Sequence, residues 1–378
     1  MDIICDDAFG INSPLFFNQT EKHTEDYFQK NTDLLGRKLQ NANHLPNYTW
    51  NLNTSKLDEI FVYGRIYGES PDDQDEAIFS LETLNIFFTP SFKKKKQLHF
   101  KLNCSIPPYL FLGQVIAARG YIYQDDFIAT EIFYETREQR PKELSPTIST
   151  SILIVSGPYA DSQSDFEQIH SLNEKIKLFS PDLVIFLGPF ALSESELLNS
   201  KTTDYCSREL TEKVTSMLTD QIFCPIVTIG SDLDALAIPV YPRPSLTHVV
   251  NPSFNTGDPS FVTINGLSIM ATTFDPASYI QNRLISENLD LKSVLAEAAV
   301  RQTLFFPGMS PSLQPQYLEN IIPSNTPHLF VASSSFDYAK TIDGTTIVFT
   351  QSFAKAKNFF FVTYKGNDVD IQLMNVFE

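Results

Sequence analysis

The amino-acid sequence predicts an α/β protein that carries an all-β module in its first half. From Ile60 to about residue 136, short strand-like runs follow one another between turn residues. After residue 150, apolar strands alternate with segments whose apolar residues recur every three or four positions, which is the pattern of βαβ units. Antiparallel hairpin signals then close the chain. The second half is therefore expected to form a mixed β sandwich flanked by helices.

The all-β module is predicted to be a small closed barrel of the OB type, covering residues 59–136. It contains five strand-like runs, separated by turn residues, whose number and length suit such a barrel. The runs are IFVYGRIYGE, EAIFSLETLNIFF, QLHFKLNC, LFLGQVIAARGYIY and DFIATEIFYE. Gly120 lies in the fourth run, where a barrel strand is expected to bend sharply.

Polar segments set the remaining domain boundaries. Residues 1–58 are Asn-rich and weakly patterned, with one helix expected around Glu25 to Leu39. The segment 137–150, REQRPKELSPTIST, is polar, contains two prolines and is predicted to be a linker. Residues 151–378 then form the second folded domain.

This second domain begins with a buried strand, SILIVS, at residues 151–156. Ser164 and Glu167 have the spacing of a capping box that opens the following helix. DLVIFLGPF and CPIVTIG supply the next two strands, with a second helix between them. A helical stretch is expected from about Pro276 to Thr303. Hairpin turns are predicted at Asn265-Gly266, Asp343-Gly344 and Lys365-Gly366-Asn367.

The charge balance excludes some classes of partner. Lys and Arg number 28 against 45 Asp and Glu, so the formal net charge is −17. Binding DNA normally requires clustered Lys and Arg that displace counterions, and this chain is a poor candidate for gripping nucleic acid by itself. One basic run, Lys93 to Lys96, has two interpretations: an import or phosphate-binding patch, or a solvated hairpin loop, which is the commoner case.

The cysteines indicate a reducing compartment. The four of them are far apart and form no CxxC pair, so neither a disulfide framework nor a cysteine zinc site is expected. No run of 18 or more apolar residues is present, and the acidic start MDIICDDAFG lacks the basic region of an export signal. We therefore expect no membrane association.

Three strands that end in SGP, LGPF and GSDLD, inside a mixed sandwich, resemble the calcineurin-like metallophosphoesterases. Active members place D-x-H, G-D-x-x-D and G-N-H-D/E after these strands and G-H-x-H late in the domain, because two divalent metals need carboxylate and histidine ligands. In this chain other residues stand at those positions. The degenerate former metal-site positions are Ser156, Pro158, Pro189, Leu192, Ser231, Asp232 and Ser334. The resemblance therefore implies no metal, no cofactor and no catalytic residue.

Other polar residues of the domain do not restore a site. Asp232 and Asp234 have two interpretations: a relic single-metal site, or ordinary loop caps, which are far commoner. Ser156 has no histidine neighbour that could activate it as a nucleophile, and a G-x-S-x-G elbow is absent. The histidines of the domain are expected within a helix or beside strands: His170, His248 and His328.

A barrel followed by a phosphoesterase domain without its ligands resembles the B subunits of eukaryotic replicative DNA polymerases, over roughly residues 60–378. Several stretches in matching order are most similar to the polymerase alpha branch, and the delta and epsilon branches share the fold. The stretches are LFLGQVIAARG, SGPYAD, PDLVIFLGPF, NPSF…INGLSI, LFFPGMSP and PHLFVASSSFDYAKTIDGTTIVF. That branch usually has a helical domain and a long linker before the barrel, where this chain has only about 58 residues, so interactions of that domain are not carried over.

The resemblance implies a non-catalytic scaffold subunit of the nuclear DNA polymerase alpha–primase complex, which supports the initiation of DNA replication. It implies binding to the C-terminal, zinc-bearing domain of the catalytic subunit, with primase and DNA reached only through the complex. The residues of that interface do not follow from the sequence. The alternatives are a delta or epsilon B subunit, an active metallophosphoesterase, and a single-strand DNA binder that uses the groove of the barrel.

Overall fold

The structure is a computed structural model that describes residues 3–6, 21–45, 59–69, 85–90, 98–104, 110–123, 126–134, 144, 149–162, 164–199, 205–238, 240–282, 284, 290–298 and 326–378. Lys93 to Lys96 lies outside these residues. The first of two units comprises Met1–Asn18, Arg140–Asp275 and Pro311–Glu378, and the second comprises Gln19–Gln139 and Pro276–Ser310. The domain boundaries placed at residues 58, 136 and 150 stay predictions. Strands and helices are numbered along the chain.

Five strands of the second unit close into a barrel. They are β2 (Ile60–Glu69), β3 (Asn85–Pro90), β4 (Leu98–Leu102), β5 (Val115–Tyr123) and β6 (Asp126–Phe133). The order around the barrel is β2-β3-β4-β6-β5, and β4 and β6 run parallel while the other neighbours are antiparallel. The five-stranded closed barrel is as predicted. Its description as an OB fold stays a prediction.

The barrel bends where the glycine pattern predicts. The pairing of β5 with β6 shifts register between Arg119 and Gly120. A Cβ added at Gly120 would overlap the carbonyl oxygen of Ile128. Only glycine allows the two strands to approach this closely at the bend.

Helix α1 (Glu21–Ala42) packs on the barrel and extends further in both directions than predicted. Leu35 and Leu39 are buried against the barrel residue Val115. A Cβ at Gly36 would overlap the ring of Tyr63, so this glycine sets the distance between helix and barrel. Part of the polar N-terminal segment therefore has its own folded contact.

Two six-stranded sheets make up the described part of the first unit. The first sheet has the order β10-β9-β8-β7-β16-β17 and the second β1-β11-β12-β13-β15-β14. The first sheet contains β7 (Ser149–Ser156), β8 (Leu183–Leu187), β9 (Ile226–Ile229), β10 (Phe254–Thr256), β16 (Asn358–Lys365) and β17 (Asp368–Asn375). The second contains β1 (Ile3–Asp6), β11 (Ser260–Ile264), β12 (Leu267–Thr272), β13 (Leu329–Ser333), β14 (Tyr338–Ile342) and β15 (Thr345–Thr350). Both sheets mix parallel and antiparallel pairs.

The two sheets face each other across one apolar core. Alternate residues of β7, Ile152 and Ile154, meet alternate residues of β13 and β15 in it, including Val331 and Val348. Helices cover the other face of the first sheet: α2 (Asp165–Phe179), α3 (Glu196–Asn199), α4 (Ser207–Thr219) and α7 (Phe353–Ala356). Buried residues of α2 and α4 form a second core with that face. The predicted mixed sandwich flanked by helices is confirmed.

The capping box predicted at Ser164 is wrong. Ser164 has helical dihedral angles and its side chain makes no capping bond. The next residue, Asp165, instead organises the turn before the helix, because one of its carboxylate oxygens accepts the backbone N–H groups of Asp161 and Ser162 at 2.9 Å each. The other carboxylate oxygen lies 3.0 Å from Lys357 Nζ.

The helical stretch expected from Pro276 to Thr303 is interrupted. The described residues form two short helices, α5 (Pro276–Gln281) and α6 (Leu291–Ala298). Asp290 ends the interruption, since its carboxylate accepts the N–H of Ser293 at 3.4 Å at the start of α6.

The three hairpin turns lie where they were predicted. The two type I′ pairs have positive φ at both central residues: 52° and 85° at Asn265-Gly266, and 50° and 87° at Asp343-Gly344. Gly366, in the third turn, has a φ of 59°.

Among the described residues, no helix has the length and apolarity needed to cross a bilayer.

Candidate functional site

The degenerate positions meet at one edge of the sandwich. The parallel strands β7, β8 and β9 end there, and we call the end of the sandwich where β7, β8, β9, β12, β13 and β15 finish, with the loop residues packed there, the carboxyl edge. Ser156 is the last residue of β7, and Pro189 and Ser231 lie two residues beyond β8 and β9. Ser156 has the same parity along β7 as Ile152 and Ile154 of the inter-sheet core, so it faces the gap between the sheets.

The loops after β7 and β8 are packed against each other. The N–H of Gly157 donates to Leu187 O at 2.8 Å, and a Cβ on Gly157 would overlap the carbonyl oxygen of Pro189. The peptide bonds before Pro158 and Pro189 are both cis. At both positions, which the resemblance assigns to metal ligands, the proline side chain offers no ligand atom.

A buried tyrosine lies beneath these loops. The hydroxyl of Tyr159 lies 2.8 Å from Leu187 O and 3.0 Å from Val155 O, and its ring stacks on Phe190 with centroids 5.6 Å apart. Burial raises the pKa of Tyr159 well above its ordinary value, and the carboxylate of Asp234 adds to the effect. The hydroxyl therefore stays protonated and connects the ends of β7 and β8.

Asp234 links the loops after β8 and β9. Its Oδ1 accepts the N–H groups of Phe190 at 2.5 Å and Ala191 at 3.1 Å, and its Oδ2 accepts the N–H of Ser231 at 2.7 Å. The residue is 4 % exposed. Burial raises the pKa of Asp234 to about 6, against the lowering effect of the three N–H groups. Of its two sequence interpretations, the structure supports the loop cap.

The space beside Asp234 is restricted as well. A Cβ on Gly188 would lie 2.6 Å from Asp234 Oδ2 and 2.7 Å from Ser231 N. Leu192, another degenerate position, forms an antiparallel bridge with Asp234 itself. Backbone groups of the loops after β8 and β9 therefore surround the carboxylate.

A buried ion pair lies at the β9 side of the carboxyl edge. Arg243 Nη1 lies 3.1 Å from Asp258 Oδ2, and the two side chains are 5 % and 1 % exposed. Nη1 also lies 3.1 Å from Gly230 O, while Asp258 accepts the hydroxyls of Thr272 at 2.7 Å and Thr273 at 2.5 Å. Burial raises the pKa of Asp258, and Arg243 with the threonine hydroxyls opposes that rise.

Asp232 is the exposed member of the edge. Its side chain is 58 % exposed and lies 3.8 Å from Arg243 Nη2. The hydroxyl of Ser231 donates to it at 3.1 Å. This carboxylate stands on the rim, with a guanidinium rather than a second carboxylate as its charged neighbour.

The β13 side of the edge carries hydroxyls. The Ser156 and Ser333 oxygens lie 2.8 Å apart, and the N–H of the degenerate position Ser334 donates to Thr350 O at 2.9 Å. These contacts are neutral. The structure therefore brings Ser156, Ser334 and the proline loops to one edge without giving them a charged partner.

The three histidines of this unit lie away from the carboxyl edge. His170 is on the exposed side of α2, and His248 pairs with Glu212 of α4 at 3.4 Å. His328 precedes β13, at its amino end, and its Nδ1 lies 2.7 Å from the Ser268 hydroxyl. His170 in a helix and His328 beside a strand are as predicted, whereas His248 lies in a turn, with a φ of 65°, and not beside a strand.

The residues present do not fit a two-metal centre. Within the ranges that the structure describes, no three His, Cys, Asp or Glu side chains come close enough together to hold a metal ion. The oxygens of Asp234 already accept three N–H groups, and those of Asp258 accept an arginine and two threonines. Coordinating a metal would require breaking these bonds, so we derive no metal-dependent step.

Sequence reasoning missed Arg243 and Asp258. Each stands beside a proline, in YPRP and GDPS, which reads only as loop. Their backbones form an antiparallel bridge across 15 residues, with N–H to O distances of 2.7 and 2.9 Å. No local pattern signals such a contact.

Similar solved structures include a predicted phosphoesterase from Streptococcus pneumoniae. It is 11% identical, with a TM-score of 0.28, and the match covers 61% of this chain and 92% of that one. GAP50, the anchor in the inner membrane complex of Plasmodium, is 10% identical with a TM-score of 0.32, over 60% and 85% of the two chains. Likenesses this weak add nothing to the assignment of a family.

Comparisons of the sequence do give the chain a family. The family model for the B subunit of DNA polymerase alpha/epsilon matches residues 152–341, just over half of the chain. The B subunit of DNA polymerase alpha from Drosophila melanogaster is 25% identical over 185 residues, which are 47% of this chain and 30% of that protein. Its counterpart of the same name from Caenorhabditis elegans is 21% identical over 321 residues, 79% of this chain and 54% of that one. The chain thus spans about a third to a half of the length of these relatives. The family model and the curated relatives agree, and the chain belongs to the family of DNA polymerase alpha/epsilon B subunits.

Proposed function

We propose that this protein is a non-catalytic accessory subunit of DNA polymerase alpha–primase, acting in the nucleus at the initiation of DNA replication. One observation carries the proposal. The chain belongs to the B-subunit family, and the buried carboxylates at its carboxyl edge already bind groups of the protein itself. Asp234 accepts three backbone N–H groups, and Asp258 is paired with Arg243. We infer that a domain with such an edge acts by contacting other proteins through its surface and not by catalysis.

The partner we propose is the C-terminal, zinc-bearing domain of the polymerase alpha catalytic subunit. Primase and DNA would be reached through that subunit. The strongly acidic composition supports protein contacts over direct nucleic-acid binding. A stable complex of this kind should bury more than about 1,600 Å² of surface.

Co-expression tests this proposal. The chain is produced with the C-terminal domain of the polymerase alpha catalytic subunit from the same source, and the mixture is separated by size-exclusion chromatography. We expect a 1:1 complex that survives moderately high salt, since a large interface depends little on screened charges. Separate elution of the two chains contradicts the proposal. Parallel trials with the delta and epsilon domains identify the branch, and a complex only with one of these reassigns the protein.

Catalysis and DNA binding need their own tests. We expect no turnover of bis-p-nitrophenyl phosphate with Mn²⁺; metal-dependent turnover that Asp232→Ala abolishes would establish an active phosphoesterase instead. We also expect no tight, salt-sensitive binding of a single-stranded oligonucleotide by the isolated chain. Such binding would favour an OB barrel that works as a DNA-binding module.

A further inference from the structure

Hydroxyl side chains collect at the β13 side of the carboxyl edge. Ser333 and Thr350 are register partners at the ends of β13 and β15, and Ser156 forms a parallel bridge with Ser352. The Ser156 and Ser333 hydroxyls join the two sheets at 2.8 Å. We call Ser156, Ser333, Ser334, Thr350 and Ser352 the hydroxyl cluster.

The cluster faces the inside of the sandwich. Ser333 lies two residues after Val331, and Thr350 two residues after Val348, and both valines belong to the inter-sheet core. Because side chains alternate along a strand, Ser333 and Thr350 point to the same side as these valines. Ser333 and Thr350 therefore place polar groups directly above the apolar core, and Ser156 joins them through its bond to Ser333.

Three hydroxyls of the hydroxyl cluster are buried without a partner among the described residues: Ser334 Oγ, Thr350 Oγ1 and Ser352 Oγ. Thr350 as a whole is only 1 % exposed. A buried hydroxyl without a hydrogen bond is destabilising, and native proteins usually satisfy such groups with protein or ordered water. Thr350 and Ser352 lie two residues apart on one side of the chain, and Ser352 bridges Ser156, so one occupant can serve both hydroxyls.

The hydroxyl cluster is better suited to a neutral ligand than to an ion. Hydroxyls both donate and accept hydrogen bonds and bring no charge. Asp337, the carboxylate nearest along the hairpin, already accepts bonds from Gln351 and Asn358 at 2.8 to 2.9 Å. Arg243 is engaged by Asp258. An ion bound by the cluster would therefore lack a charged ligand.

We propose that the hydroxyl cluster is a hydration site, which holds ordered water between the two sheets near the degenerate position Ser156. Water has the right size and the right mix of donors and acceptors, and buried waters typically make about three bonds to polar groups that otherwise lack partners. The site stabilises the fold at the top of the core. It does not depend on the proposed function.

The test uses a change that removes one oxygen while keeping the side-chain shape. Thr350→Val should lower the melting temperature by about 2–6 °C, because it removes a hydroxyl bound to water. Thr350→Ser, which keeps the oxygen, should recover part of that loss. The control is Thr256→Val, whose hydroxyl donates directly to Ser260 Oγ at 2.8 Å and must show a loss of similar size. An unchanged or raised melting temperature for Thr350→Val overturns the hydration site, since a dry hydroxyl is better replaced by a methyl group.

A second measurement covers the case in which Thr350→Val does not fold. A crystal structure of the unmodified protein at better than about 2 Å should show water within hydrogen-bonding distance of Thr350 Oγ1 and of Ser334 or Ser352. Density for an ion with short coordinating distances, or no density at all, contradicts the proposal.

Discussion

The two edges of the sandwich stabilise the same sheets in different ways. At the carboxyl edge, Arg243, Asp258 and Asp234 are all charged residues that are at most 4 % exposed, and each is bound by other parts of the chain. The amino edge is formed by the residues at the starts of β7, β8, β12 and β13. Its contacts in the described residues are hydrogen bonds and not a buried ion pair. Ser268 meets His328 at 2.7 Å, and the part-buried Asp182 accepts the backbone N–H of Ser151 at 2.8 Å.

Because of this difference, substitutions at the carboxyl edge should reduce the free energy of unfolding more than substitutions at the amino edge. Removing one partner of a buried ion pair leaves an uncompensated charge, which costs far more than the pair contributed. Removing one hydrogen bond between part-buried groups of the amino edge costs less, because no buried charge is left without its partner. The buried charged contacts of the carboxyl edge therefore contribute to the folding stability of the unit.

The largest effect should come from Arg243→Met. It leaves Asp258 buried without its cation and should lower the free energy of unfolding by about 3–5 kcal/mol. Urea unfolding measures this loss. The matched control is Arg208→Met on α4, where an exposed arginine pairs with Glu212 at 2.7 Å and no change is expected. Equal midpoints for the two variants would show that the buried pair carries no weight.

Asp234→Ala should cost about 3 kcal/mol, because three buried N–H groups lose their acceptor. Hydrogen exchange read by mass spectrometry checks the cause. The amides of Phe190, Ala191 and Ser231 should exchange faster, while those of β16 keep their protection. Loss of protection spread evenly over the sheet would mean that Asp234 does not join these particular loops.

The pH dependence should follow Asp234 as well. Its pKa in the folded protein, about 6, exceeds its ordinary value of 3.8, so folding takes up a proton between these values. Stability from this group is therefore present below about pH 4 and decreases as the pH rises to 6, by roughly 2–3 kcal/mol.

Asp234→Asn isolates this contribution, since the amide does not titrate. The difference in unfolding free energy between the two proteins, measured from pH 4 to 7, should change most between pH 4 and 6. Parallel curves over the whole range contradict the raised pKa.

The smallest effect is expected at the amino edge. Ser268→Ala removes the hydroxyl that meets His328 but keeps the backbone N–H of residue 268, which still donates to Nδ1 at 3.0 Å. We expect a loss of about 1 kcal/mol by urea unfolding. A loss as large as that of Arg243→Met would remove the contrast between the edges.

Local patterns predicted much of the fold. Asn265-Gly266 and Asp343-Gly344 form the expected turns because positive φ is a property of the pair itself. The same reasoning failed at Ser164, whose side chain makes no capping bond. The turn before the helix is held instead by Asp165, which also pairs with Lys357, 192 residues away.

The candidate site was only partly predictable. Ser156, Pro158 and Pro189 could be singled out because the resemblance assigns family ligands to the ends of these strands, and the structure brings those strand ends to one edge. Arg243 and Asp258 were missed because their importance comes from a contact between two proline-containing loops. The sequence leaves Asp234 as either a relic metal ligand or a loop cap, and its three donors come from two different loops, which no sequence spacing reveals.

The most direct test of the accessory-subunit account is affinity purification of the tagged chain from its source cells, followed by mass spectrometry of the proteins that co-purify. The account predicts the polymerase alpha catalytic subunit in near-equal amount, together with the primase subunits. Recovery of the chain alone, or with a delta or epsilon catalytic subunit in place of alpha, would contradict it.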